Sequence, residues 1–192
     1  MRDKYITNGV RLVGKVEKKR SFDNITILTI NTGKNTRSEE YYYPEVCAFG
    51  KVKSFADMVE AGDSVLIDAS IQTDKGENGT VRRTITANHI NKLGTDDFKY
   101  VNNFSLFGRV ISTKKVSDNK ASAVVVVEAK KPNFVKVIFE STPAVIDRFC
   151  RLNKNNYVNI FGYIKTYDNE NQIYKDSCAV TGFKHVKPPE RD

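Results

Sequence analysis

The same succession of segments runs twice along the chain, about ninety residues apart. Val10–Val16 (VRLVGKV) returns as Phe104–Val110 (FSLFGRV), and Ile25–Ile30 as Ala121–Glu128. Tyr43–Ala48 returns as Phe134–Phe139 (FVKVIF), Ser64–Thr73 as Tyr157–Thr166 (YVNIFGYIKT), and Val81–Ile90 as Asp176–Phe183. The offset, read at Gly14 and Gly108, Tyr43 and Phe134, or Ile71 and Ile164, drifts only as loops of unequal length require. An internal repeat constrains the fold more than any single element does. It predicts two domains of one architecture, 1–93 and 98–187, joined by Leu93–Asp97 (LGTDD). A chain of 192 residues is long enough to give each a core.

Each repeat reads as five strands and one helix. In Val10–Val16, Val10, Leu12 and Val16 alternate inward, with Arg11, Val13 and Lys15 outward; Gly14 in mid-strand predicts a bulge or tight bend. Ile25–Ile30 is β-branched, with apolar residues at both parities, so its facing stays open. In Tyr43–Phe49, Val46 and Ala48 face in and Tyr43, Glu45, Cys47 and Phe49 face out. A helix follows, with Ser54 and Asp57 as a weak capping box, Phe55, Met58 and Val59 as its apolar face, and Gly62 at its stop. In the second repeat Thr142-Pro143 opens the helix, and Val145, Ile146, Phe149 and Cys150 form its apolar face. Strand, helix, strand at the centre of five strands is the plan of an oligonucleotide/oligosaccharide-binding (OB) barrel, a five-stranded Greek key. The expected fold is all-β: two tandem five-stranded OB barrels, each with a short helix between strands three and four.

Charge points to a polyanionic partner. The net charge is +8, with 15 Lys/Arg and 12 Asp/Glu in residues 1–95 and 16 and 11 in residues 96–192. Both halves are basic, so the excess is not one tail. Nucleic acid is the first partner such a balance suggests and an anionic membrane surface the second. Three widely spaced cysteines make neither a disulfide framework nor a metal knuckle. Without a signal peptide or a membrane-length apolar run, the chain reads as cytoplasmic. His89 and His185 have no cysteine or carboxylate neighbours at ligand spacing, and the Gly-Lys pairs at Gly33 and Gly50 lack the rest of a phosphate loop. Neither catalysis nor a cofactor is expected, and a binding module is the better reading.

Holding a single strand takes cations along the phosphates and flat rings under the bases. Cations are placed outward or in loops at Arg11, Lys15, Lys18, Lys19, Arg20, Lys34 and Arg37, then at Arg109, Lys136 and Lys165. Outward rings are Tyr43 and Phe49, then Phe107 and Phe134, with Tyr167 in the last long hairpin. Phe161 and Tyr163 also face out, either toward nucleic acid or toward another barrel or chain.

The motifs VCAFGK (Val46–Lys51), AGDSVLIDASIQT (Ala61–Thr73), VRLVGKV and TITANHI (Thr84–Ile90), in this order and spacing, resemble the bacterial single-stranded DNA-binding protein family. In that family an aromatic opens the third strand, a basic residue follows two later, and a second aromatic precedes Gly-Lys; these bind the strand. The resemblance puts Tyr43, Glu45 and Phe49 in those places in the first repeat, and Phe134, Lys136 and Glu140 in the second. Glu45 and Glu140 depart from the pattern. The family's acidic, hydrophobic-tipped tail is replaced here by KPPERD, so recruitment of partners through such a tail is not expected. The family assembles four barrels, which for a two-barrel chain implies a homodimer. The Asn- and Lys-rich composition suits a phage or mobile element. The expected function is sequence-tolerant binding of single-stranded DNA in replication, recombination or transfer, with RNA an open alternative ligand and no membrane partner. The alternative is a protein-interaction module of a replication or mobile-element complex.

Overall fold

A computed structural model of the chain describes residues 8–35, 39–75, 81–95, 97–127, 132–167 and 175–186, without the side chains of 74, 75, 81, 82, 167, 175 and 176. It is mostly β. The first repeat supplies β1 (Asn8–Ser21), β2 (Ile25–Asn31), β3 (Glu45–Phe49), α1 (Gly50–Asp57), β4 (Ser64–Lys75) and β5 (Val81–Lys92). β1 pairs with β2 and β4, β2 with β3, and β5 with β4, all antiparallel, while β3 and β5 run parallel. The five strands thereby close into a barrel, which leaves no open edge. The second repeat supplies β6 (Val101–Ser117), β7 (Lys120–Val127), β8 (Asn133–Glu140), α2 (Pro143–Cys150), β9 (Tyr157–Tyr167) and β10 (Lys175–Val186). Its pairings follow the same order: β6 with β7 and β9, β7 with β8, β8 parallel with β10, and β10 beside β9.

Compactness divides the chain into two units. Among the described residues, one holds Gly9–Asn103 and those of 164–177; the other holds Asn8, Phe104–Tyr163 and those from Cys178 to Val186. Within the first, the Asn102 side chain stands in for a strand partner. Its Nδ2 donates to Ile164 O and its Oδ1 accepts from Ile164 N, both at 2.9 Å. The Thr166 hydroxyl accepts from Tyr43 N at 2.9 Å. These bonds satisfy backbone groups that would otherwise lack partners.

Val10, Leu12, Val16, Val46, Ala48, Val65, Ile67, Ala69 and Ile71 are all buried, as alternation requires. Each large apolar side chain so buried contributes roughly 1.5–3 kcal/mol. The ambiguous strand resolves: Leu28 and Ile30 are in the core, while Ile25 and Ile27 stand on the outer face. Gly14 is a point of close approach and not itself the bulge. A Cβ there would lie 2.1 Å from Asn31 O, and one at Gly108 would lie 2.4 Å from Val126 O. The register shifts come just after, between Val16 and Lys18 and between Val110 and Ser112.

The first helix departs from expectation. It starts at Gly50, four residues before Ser54, with Phe49 in the N-cap position. Asp57 is no partner in a capping box. It accepts from Lys53 Nζ at 2.7 Å, from the Ser21 hydroxyl at 3.3 Å and from the Thr26 hydroxyl, pinning α1 to the β1–β2 hairpin. Those bonds, Lys53 first, hold the Asp57 carboxyl below the ordinary carboxylate range. Of the expected apolar face only Val59 is buried, together with Ala56, while Phe55 and Met58 are exposed. Gly62, at φ +92°, ends the segment in the left-handed conformation that glycine adopts without strain. α2 follows the sequence: Thr142 at the N-cap, Pro143 in the first turn, Ile146 and Phe149 fully buried.

Candidate nucleic-acid interface

The outer face of β6, β7 and β8 carries three cations and one exposed ring in three successive rows. Register sets Arg109, Val126 and Phe134 in one row, Ser112, Val124 and Lys136 in the next, and Lys114, Ser122 and Ile138 in the third. Phe134 is 50% exposed, and Lys136 and Lys114 are exposed and make no ion pair with a described residue. Arg109 donates through Nη1 to Asn155 Oδ1 at 2.6 Å. No carboxylate stands in these three rows. Glu140, the departure from the family pattern, lies one row further and is paired with Lys120 at 2.7 Å. Lys114 was not singled out from the sequence, although the offset from Gly14 to Gly108 sets it opposite Arg20.

The outer face of β1, β2 and β3 is built alike but charged differently. Lys18, Thr29 and Glu45 form one row, Arg20, Ile27 and Cys47 another, and Ile25 stands beside Phe49. Phe49 is exposed. Arg20 Nη2 meets Glu45 Oε1 at 2.5 Å, so the carboxylate expected to repel phosphate is neutralised by a cation expected to bind it. Lys19 does not belong to this face. It turns toward α1, donating to Asp57 O at 3.1 Å and pairing with Glu60 at 2.6 Å. In the second repeat Lys115 does the same with Asp147 at 3.0 Å.

Other expected contacts are dispersed. Arg11 lies on the β1–β4 side in a two-pronged pair with Asp68, 2.7 and 3.2 Å, which raises its pKa further. Lys15 is half-buried. Lys34 lies beside Glu39 at 3.8 Å, and Lys165 beside Glu40 at 3.9 Å. Tyr43 precedes β3 instead of opening it, and is half-buried. Phe107 is corrected outright: expected to be exposed, it is buried at 8%, its ring stacked on Tyr157 with centroids 5.7 Å apart. Val13, its counterpart in the first repeat, was likewise expected outside and is also buried. Alternation fixes facing, whereas cross-strand neighbours decide exposure. Phe161 is exposed, its ring lying against Gly182, where a Cβ would come within 2.5 Å. Arg37 and the side chain of Tyr167 lie outside the described residues, as does most of the hairpin tip Asp74–Thr80.

The remaining reactive groups do not converge. His89 and His185 are exposed. Burial, then Asp147, pushes the Cys150 thiol up, away from the reactive thiolate. Among the described residues no group of three or more His, Cys, Asp or Glu could hold a metal ion, and no helix is long and apolar enough to cross a membrane.

No protein-family model and no curated protein sequence matches the chain. Solved structures do. The wild-type single-stranded DNA binding protein from Thermus aquaticus matches with a TM-score of 0.73 and 13% identity, over 98% of this chain and 97% of that one. A deletion mutant of the same protein matches with a TM-score of 0.72 and 14% identity, over 97% and 98%. At such identity the likeness is one of fold: the chain shares, over nearly its whole length, the OB-type β architecture of those proteins.

Proposed function

We propose that this protein is a sequence-tolerant single-stranded DNA-binding protein whose repeats, 1–93 and 98–187, are tandem OB barrels. It acts stoichiometrically, without a cofactor, on strands exposed in replication, recombination or transfer. The observation that carries this reading is the outer face of β6–β8, where Arg109, Lys114 and Lys136 share three successive rows with an exposed Phe134 and no carboxylate stands in those rows. The ring offers a stacking surface that every base can use, and the cations follow the phosphates, so affinity does not depend on sequence. The shared fold with a single-stranded DNA binding protein supports it. Titrating labelled oligo-dT, a duplex and an RNA of equal length at two salt concentrations tests it. Preferential oligo-dT binding that weakens with salt is expected; equal or stronger binding of duplex would reject it.

Lys136→Ala is expected to flatten the dependence of log affinity on log salt by about 0.7, the slope per phosphate contact on single strands. An unchanged slope would remove Lys136 from the phosphate path. The protein is expected to be a homodimer that presents four barrels. Sedimentation giving a strict 21.7 kDa monomer at micromolar concentration and above would defeat this.

A second reading, a protein-interaction module with weak or no DNA binding, is favoured by one observation. Phe22, Phe49, Phe55 and Met58 are all exposed within the hairpin, strand and helix of the first repeat. Absence of oligo-dT binding at low salt would favour it.

A further inference from the structure

A cavity of about 270 Å³ opens between the residues that follow β2 and the segment that leads into β6. Its wall is an aromatic ring set in place by its neighbours. Tyr100 lies across Gly33, which sits at φ +75° and has no room for a side chain: a Cβ there would be 2.6 Å from Tyr100 Cγ. Phe98 meets the same ring edge-on, centroids 5.1 Å apart. The ring nevertheless remains 44% exposed. Behind it Thr32 and Asn102 are already hydrogen-bonded within the protein. The Thr32 hydroxyl donates to Tyr42 O at 3.0 Å and accepts from Asn102 Nδ2 at 3.2 Å. Two ammonium groups, Lys34 and Lys99, line the same cavity. Lys99 is exposed and makes no ion pair with a described residue, and the partner of Lys34 is itself exposed and distant at 3.8 Å.

We propose that this cavity is a nucleotide subsite, with a base stacked on Tyr100 and a phosphate held by Lys99 and Lys34. The volume falls just short of the roughly 300 Å³ at which sites for drug-sized ligands begin, so it suits one nucleotide and little more. A preset ring is a stacking platform, and paired ammonium groups suit a phosphate. Because Thr32 and Asn102 spend their hydrogen bonds on the protein, neither is left to read the base. None of the outer-face residues of β6–β8 takes part. The subsite depends on the single-strand reading only for the source of its nucleotide, which is either a residue of a bound strand or a free nucleotide.

The test is fluorescence titration of the full chain with labelled oligo-dT, and separately with dTMP, in the wild type, Tyr100→Ala, Tyr100→Phe and Lys99→Gln. Tyr100→Ala is expected to weaken oligo-dT binding about 5- to 150-fold, the loss of one stacked base. Tyr100→Phe should behave as the wild type, which separates a lost ring from a lost fold. Lys99→Gln, at an exposed position, should flatten the log–log salt slope by about 0.7. If dTMP also binds and Tyr100→Ala abolishes it, the subsite accepts free nucleotide. If the wild type binds oligo-dT and both Tyr100→Ala and Lys99→Gln bind it equally well, the subsite is overturned while the single-strand reading stands. If the wild type ignores oligo-dT yet binds dTMP through Tyr100, the single-strand reading falls and the subsite stands. If it binds neither, both fall.

Discussion

Phe134→Ala is expected to weaken oligo-dT binding by about 1–3 kcal/mol, roughly 5- to 150-fold, because it removes a stacking surface. The ring is half exposed, so its truncation leaves little behind in the core and the circular dichroism spectrum should not change. Tyr43→Ala should cost less. Tyr43 is half-buried, its own backbone is held by Thr166, and the nearest row of its face carries Glu45. A larger loss at Phe134 than at Tyr43 is what is expected if the second repeat contributes the greater share of the affinity. If Phe134→Ala binds like the wild type and Tyr43→Ala fails, the greater share lies in the first repeat.

Phe149→Ala should destabilise the fold by about 3–5 kcal/mol, the range for deleting a buried phenyl ring. Phe149 is fully buried on α2, its ring centroid 5.0 Å from those of both Phe139 and Phe183. The Arg148 guanidinium lies over Phe183, 5.1 Å from its centroid, so the cluster is closed on its outer side by a cation. Truncation leaves a cavity beside the two remaining rings, Phe139 and Phe183, which cannot close it without moving strands β8 and β10. Urea unfolding, read as a fall in midpoint at constant slope, measures the effect. Phe55→Ala, on α1, is the paired measurement. The sequence puts Phe55 on the core-facing side of its helix, whereas it is 53% exposed, and a change within about 0.5 kcal/mol is expected. Equal losses at the two positions would contradict the facing of α1.

The alternation of small and large apolar residues in Val10–Val16, Tyr43–Ala48 and Ser64–Thr73 was enough to find the strands and their inner faces. A period of two survives so long as no register shift intervenes. Where a shift does intervene, the inner and outer sets exchange. Past Val16 the bulge moves Lys19 from the outer set to the helix side, and past Val110 it sends Lys114 outward. Phe107 and Val13 fail for another reason. Each has the expected facing, but neighbours on the adjacent strand determine whether that face is open: Tyr157, which pairs with Arg109 and so lies diagonal to Phe107, stacks over the Phe107 ring. α1 was misplaced because Ser54 and Asp57 have capping-box spacing, while the Thr26, Ser21 and Lys53 bonds that actually use Asp57 are mostly long-range. The Tyr100 cavity was beyond reach from the sequence. It joins residues almost seventy positions apart through a glycine whose role is only to leave space.

The Arg20–Glu45 pair changes what salt does to the first repeat. A free ammonium group meeting a phosphate releases the counterion condensed on the nucleic acid, and the mixing entropy of that ion drives binding. A guanidinium already holding a carboxylate makes an exchange instead: the phosphate takes its place at Arg20, and Glu45 must draw a cation from solution. The ion released on one side is recaptured on the other. A positive charge counted along the sequence at Arg20 is thus no counterion gained. As salt rises, the affinity of the second repeat should fall steeply and that of the first gradually, and a strand held by both would shift its weight toward the first.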